Sequence, residues 1–190
     1  MLSRRQTSTA LSQLSRRTPT PVDLLTIFAQ GDNESDRSII LIRGALVEEA
    51  LQRAILNRMR SLNHAERRRL FDNPFAPLSS FSGKIAIAYA IKLIGPSTRD
   101  DLDCIREIRN AFAHTIVNID FSTKEVMDHC AHLQLPARFP PGSGPHDLSW
   151  PPSTAEPRRL FMATAQLLWV YLLDAANDRH SLPDEAYFLI

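Results

Sequence analysis

Cysteine is almost absent from this chain. Cys104 and Cys130 are the only two in 190 residues. Two thiols in a chain this long build no disulfide framework, so a small cross-linked scaffold is excluded and a reducing, cytoplasmic setting is expected. Glycine is scarce as well, with six residues, and none falls in a Gly-rich loop of the kind that cradles phosphate. No charge sign dominates: 22 Lys and Arg stand against 21 Asp and Glu, so nothing global demands a nucleic acid or a membrane surface. Long apolar runs are missing too. The longest, FMATAQLLWVYLL at 161–173, is shorter than the roughly 20 residues a bilayer span needs, and it fits a buried core helix. The N-terminal stretch has no apolar region of signal-peptide type. No membrane partner and no cofactor are expected, and neither an internal repeat nor a clear strand pattern is legible.

What is present is hydrophobic residue, at 44%, enough for one domain with a real core. Residues 1–21 carry Arg4, Arg5, Arg16 and Arg17 with no acid, amid Ser and Thr, and read as a disordered basic tail. A nucleic-acid-binding arm or a transit peptide are the alternatives for that segment. A single domain is expected over 22–180, with a C-terminal tail at 181–190. Seven of the 13 prolines lie between 136 and 157, so 136–154 reads as a stiff, irregular Pro-rich loop before the last helix.

The rest reads as helix. After a short apolar segment, VDLLTIFAQ at 22–30, a long helix is expected from Ser35 or Asp36 to about Leu62, apolar on nearly every side and therefore central. HAERRRLF reads as a basic turn. A further helix is expected over 80–94, stopped by Gly95 and Pro96. The next should open at Ser97 or Thr98, with Asp100 or Asp101 completing a capping-box-like start, and run to about Ile116. Residues 123–134 suit a short helix and 155–176 a last one, with Pro157 tolerated in its first turn. The expected class is all-α, a bundle of four to five helices.

One helix carries the chemistry-bearing residues, IREIRNAFAHT at 105–115. At about 100° per residue, Ile105, Ile108, Phe112 and Ile116 share an arc of roughly 80°, extended by Leu102. Arg109 falls inside this core arc. Asp103, Glu107, Asn110 and His114 form a separate polar stripe at i, i+4, i+7 and i+11, and Arg109 and His114 project about 140° apart. An arginine on an apolar arc needs a partner, because a buried unpaired charge costs several kcal/mol, roughly. The long helix offers one: its arc of Ile39, Ile42, Leu46 and Ala50 also holds Glu49, with Glu48 adjacent. Arg109 is therefore expected to pair with Glu49 or Glu48, the alternative being a side chain that snorkels to solvent. Glu107 and Asp103 are candidate binding residues beside Asn110 and His114; an ordinary solvated face is the alternative.

The spacing of Arg and His is cheap, since Arg58 and His64 make another such pair. DHCAH at 128–132 lacks the partners for a closed zinc site, so no metal is expected. Arg67, Arg68 and Arg69 read as a solvated turn, or as a track for phosphates. Trp150 and Trp169 read as packing residues.

Three stretches carry a resemblance: LIRGALVEEAL at 41–51, LFDNPFAPLSSFSGKIAIAYAIKLIG at 70–95 and DLDCIREIRNAFAH at 101–114. Together they resemble the mannitol operon repressor family, and RNAFAH resembles the Arg–polar–x–x–x–His signature of the all-α HEPN domains. The resemblance implies two functions. One is a non-catalytic dimeric regulator or binding module in transcriptional or nucleic-acid-linked control, without an evident DNA-reading helix-turn-helix. The other is a metal-independent endoribonuclease acting as a homodimer. Its catalytic set would be Arg109 for charge, Asn110 for positioning and His114 for acid/base work. Either implies a homodimer with RNA, DNA or a protein as partner.

Overall fold

The computed structural model describes residues 34–139 and 150–177. The chain divides into two units, 1–35 and 36–190, and the helices of the described residues belong to the second. The expected basic tail, the VDLLTIFAQ segment, the middle of the Pro-rich loop and the C-terminal tail lie outside the described residues.

The described residues form an all-α bundle with no strand. In chain order the six α-helices are α1 (Asp36–Arg58), α2 (His64–Arg67), α3 (Phe81–Ala90), α4 (Pro96–His114), α5 (Lys124–Cys130) and α6 (Pro157–Asn177). A π-helical turn, Arg68–Asp72, continues α2, and a 3-10 turn, Leu135–Arg138, comes after α5. α1 is the central element. Its buried Ile39, Ile40, Leu46, Val47, Ala50, Leu51, Ala54 and Ile55 cover about half of its circumference rather than nearly every side, and it packs on α6, α4 and α3. Burial of its isoleucines, leucines and valine, each contributing about 1.5–3 kcal/mol, makes α1 the spine on which the others dock.

α6 has the length and composition of a membrane span. In the fold its Leu160, Phe161, Thr164, Ala165, Leu168, Leu172 and Ala175 form one buried stripe against α1. The Phe161 ring meets that of Phe121 at a tilt, 5.6 Å between centroids, and Phe121 meets Phe112 of α4 in the same way at 6.4 Å. α6 is thus a core helix, as its apolar run suggested.

Several boundaries differ from expectation for local reasons. α3 stops at Ala90 rather than at Gly95. Lys92 takes the left-handed conformation (φ 56°), and the backbone bonds Lys92 N–H to Tyr89 O and Leu93 N–H to Ala88 O close a Schellman end. Gly95 and Pro96 then begin α4 as its N-cap and first residue, so the expected capping by Ser97 or Thr98 does not occur. The expected basic turn is helical. Asn63 and Glu66 form a reciprocal capping box at its start, which the sequence spells as Asn-x-x-Glu. Residues 123–134 are helical only over α5.

Candidate functional site

The helix holding RNAFAH ends where α1 begins. The Arg37 guanidinium donates from Nη1 to the Phe112 carbonyl at 2.8 Å and from Nη2 to the Thr115 carbonyl at 3.3 Å. A cation on the last carbonyls of α4 satisfies orphan acceptors and complements the helix dipole. Asp36, beside it, accepts from the Phe121 N–H at 2.9 Å and from Arg158 Nη1 at 2.6 Å. Three elements are thereby pinned at the His114 end. Because α4 stops at His114 and Thr115 is extended, Ile116 leaves the core arc on which a longer helix would have placed it. It is fully exposed, and Val117 nearly so. The other arc members, Leu102, Ile105, Ile108 and Phe112, are buried. On α1, Ile42 is likewise exposed while Ile39, Leu46 and Ala50 are buried.

Arg109 crosses α1 over Gly44. A Cβ on residue 44 would lie 3.0 Å from Arg109 Cγ and 3.2 Å from its Cβ, so the absence of a side chain there lets the arginine stem lie flat. The guanidinium then reaches Glu48, with Nη2 3.1 Å from Oε2. The other Glu48 oxygen accepts from Lys84 Nζ of α3 at 2.7 Å. Side-chain exposure is 15% for Glu48, 8% for Lys84 and 29% for Arg109. One carboxylate, each oxygen taken by a different cation, therefore ties α1, α3 and α4 together. Glu49, the other expected partner, pairs with Arg53 on its own helix at 2.6 Å. Lys84 was missed in the sequence, although the same signal marks it: it is the lone charge on the apolar FSGKIAIAYA helix.

The polar stripe divides in two. Asp103 lies 3.1 Å from Arg106 Nε, and Glu107 takes Arg106 Nη2 at 2.7 Å and His129 Nε2 at 2.8 Å. These carboxylates are paired with neighbours, α5 included. Asn110 is half-buried and His114 exposed, and neither side chain meets a hydrogen-bond partner among the described residues. Arg109 emerges on another face from both. The structure therefore brings Asn110 and His114 to one edge and takes Arg109 away to Glu48.

Elsewhere on α4, Asp101 is buried and accepts from the Gln134 N–H at 2.8 Å and from Arg138 Nη2 at 3.2 Å. Burial pushes its carboxyl up to about 6, with those hydrogen bonds and the arginine pulling the other way. Cys104 and Cys130 are free thiols that burial pushes up to about 12, which leaves them poor nucleophiles. Among the described residues no three His, Cys, Asp or Glu side chains gather as metal ligands; His129 of the DHCAH run is taken by Glu107.

The chain matches no family model, no curated protein and no solved structure.

Proposed function

We propose that this chain is a non-catalytic regulatory module of mannitol-repressor type, cytoplasmic and homodimeric, acting in transcriptional or nucleic-acid-linked control. One observation carries this. The arginine of RNAFAH is held by Glu48 across Gly44 and does not share a face with His114. An arginine engaged in this way organises three helices, and it is not available to stabilise charge on a phosphorane beside His114. The bare apolar edge of Ile116 and Val117 next to His114 is the kind of surface a second copy would cover. The free, buried cysteines suit a reducing compartment.

The second function, a HEPN-type endoribonuclease, draws on a different observation: Asn110 and His114 are i,i+4 neighbours with uncommitted side chains. Incubation of RNA with the purified protein in EDTA, beside His114→Ala, separates the two. The regulator leaves the RNA intact in both samples. Cleavage to 2′,3′-cyclic phosphate ends that disappears in His114→Ala would overturn it in favour of the nuclease.

A further inference from the structure

The arginines that are not engaged lie elsewhere. Of 17 Lys and Arg and 15 Asp and Glu among the described residues, five and two fall in 58–75, leaving 12 and 13 for the rest. The positive charge of the described unit is thus concentrated in this short stretch. Within it Arg60 pairs with Glu66 at 2.9 Å. Arg67, Arg68 and Arg69 are exposed, and none makes an ion pair or side-chain hydrogen bond with another described residue. They sit where α2 widens into the π-helical turn, a local geometry that is rare and frequently found at functional sites.

The loop after that turn presents Phe75, which is 95% exposed. This is no loose tip. Asn73 N–H bonds back to the Arg68 carbonyl at 3.1 Å and Leu78 N–H to the Leu70 carbonyl at 2.9 Å, holding the loop against the arginine turn. Asn73 Oδ1 accepts from the Phe75 N–H at 3.2 Å, and the flanking Phe71, Ala76 and Leu78 are buried. Gly83 lets the Pro77 carbonyl approach so closely that a Cβ there would lie 2.6 Å from it. The fold holds a large aromatic ring in water beside three exposed guanidiniums, of which Arg69 also acts on Glu66 through space.

We propose that Arg67, Arg68, Arg69 and Phe75 form a binding surface for single-stranded nucleic acid, the guanidiniums taking phosphates and the ring stacking on a base. The chemistry matches on both counts: guanidiniums bind phosphate oxygens with forked hydrogen bonds, and an unstacked base offers Phe75 a flat π-face. Consecutive helical positions fan over about 200°, so the three arginines cannot all face one plane. That fan suits a flexible strand that bends around the turn and disfavours a flat anionic membrane. It also disfavours a duplex, whose stacked bases give the ring nothing to cover. This surface lies outside the α4 edge and does not depend on the regulatory function.

The test uses the full chain and a fluorescein-labelled 15-nucleotide oligouridylate, followed by anisotropy across a salt series in EDTA. The wild type is expected to bind, and R67Q/R68Q/R69Q to bind at least about tenfold more weakly at moderate salt. The slope of log affinity against log salt should fall by about 2 in that variant, given about 0.7 per phosphate neutralised on a single strand. Phe75→Ala should cost about tenfold with the slope unchanged, and Phe75→Trp should restore binding. All four side chains are exposed, so unchanged thermal melting verifies the fold. The arginines of residues 1–21 are present in every variant, so the differences report this surface alone. The proposal is overturned if the wild type does not bind the oligonucleotide or if both variants bind as tightly as it does. It is equally overturned if duplex RNA competes as well as the single strand, or if phosphatidylserine vesicles are bound in its place.

Discussion

Two sets of arginines stand in this molecule under opposite conditions. Arg109 lies half-buried across α1 with its charge on Glu48, beside Lys84. Arg67, Arg68 and Arg69 stand in solvent where α2 passes into the π-helical turn, with no ion pair or side-chain hydrogen bond to a described residue. Spacing within a short motif drew attention to the first set, yet the first set serves the fold and the second has the freedom to serve a ligand. What separates them is the company each keeps on its helix. An arginine among Ile105, Ile108 and Phe112 must find a carboxylate within the bundle. An arginine next to two others, on a turn with one buried residue, has no such obligation.

The contrast can be broken most strongly at Glu48. Glu48→Ala leaves Lys84 and Arg109 without their anion, and a loss of about 3 kcal/mol in urea unfolding is expected. A loss indistinguishable from that of a surface substitution would remove Arg109 from its structural role.

Asp101 gives the next effect, and its sign is set by burial. A carboxyl held at about 6 in the fold and near 3.9 when unfolded takes up a proton in the folded state first. Wild type should therefore gain stability relative to Asp101→Asn as pH falls from 7 to 5, the gain being complete only below the unfolded value. Paired melting curves at the two pH values measure it, and a constant gap between the proteins contradicts it.

Gly44→Ala sharpens the same comparison at smaller scale. Alanine favours a helix by about 1 kcal/mol over glycine, but here its Cβ meets the Arg109 stem. A net loss of about 1 kcal/mol is expected in the wild type. In an Arg109→Ala background the same change should be neutral or stabilising, and an identical loss in both backgrounds would locate the clash elsewhere. The smallest effect belongs to R67Q/R68Q/R69Q, whose unfolding midpoint should coincide with that of the wild type.

Much of the fold was legible because helical periodicity and buried area agree: α1 as spine, α4 with Leu102, Ile105, Ile108 and Phe112 inward, and α6 as a core helix. What was not legible depended on backbone contacts that a linear pattern does not encode. The α3 end rests on Lys92 in a left-handed conformation, where glycine was the natural expectation. The exposure of Ile116 traces to Arg37, 79 positions earlier in the chain, which caps the carbonyls where α4 ends. The capping box of Asn63 and Glu66 could have been read from the sequence and would have turned the expected basic turn into a helix. At the site, Arg109 signalled its need for an acid through its position, and Glu48 met that need rather than Glu49. The pairing of Asp103 with Arg106 was legible as an i,i+3 pair on one helix, whereas the contact of Glu107 with His129 was not, since it needed the packing of α5 on α4.

The measurement that bears most directly on this division of labour is a double-mutant cycle between Glu48→Gln and Arg109→Gln, read as unfolding free energy. If Arg109 is a strut, the two losses are strongly non-additive, with a coupling of about 1–3 kcal/mol, and the same cycle between Arg109→Gln and His114→Ala gives none. Additive losses in the first cycle, together with coupling in the second, would contradict the account and return Arg109 to the side of His114.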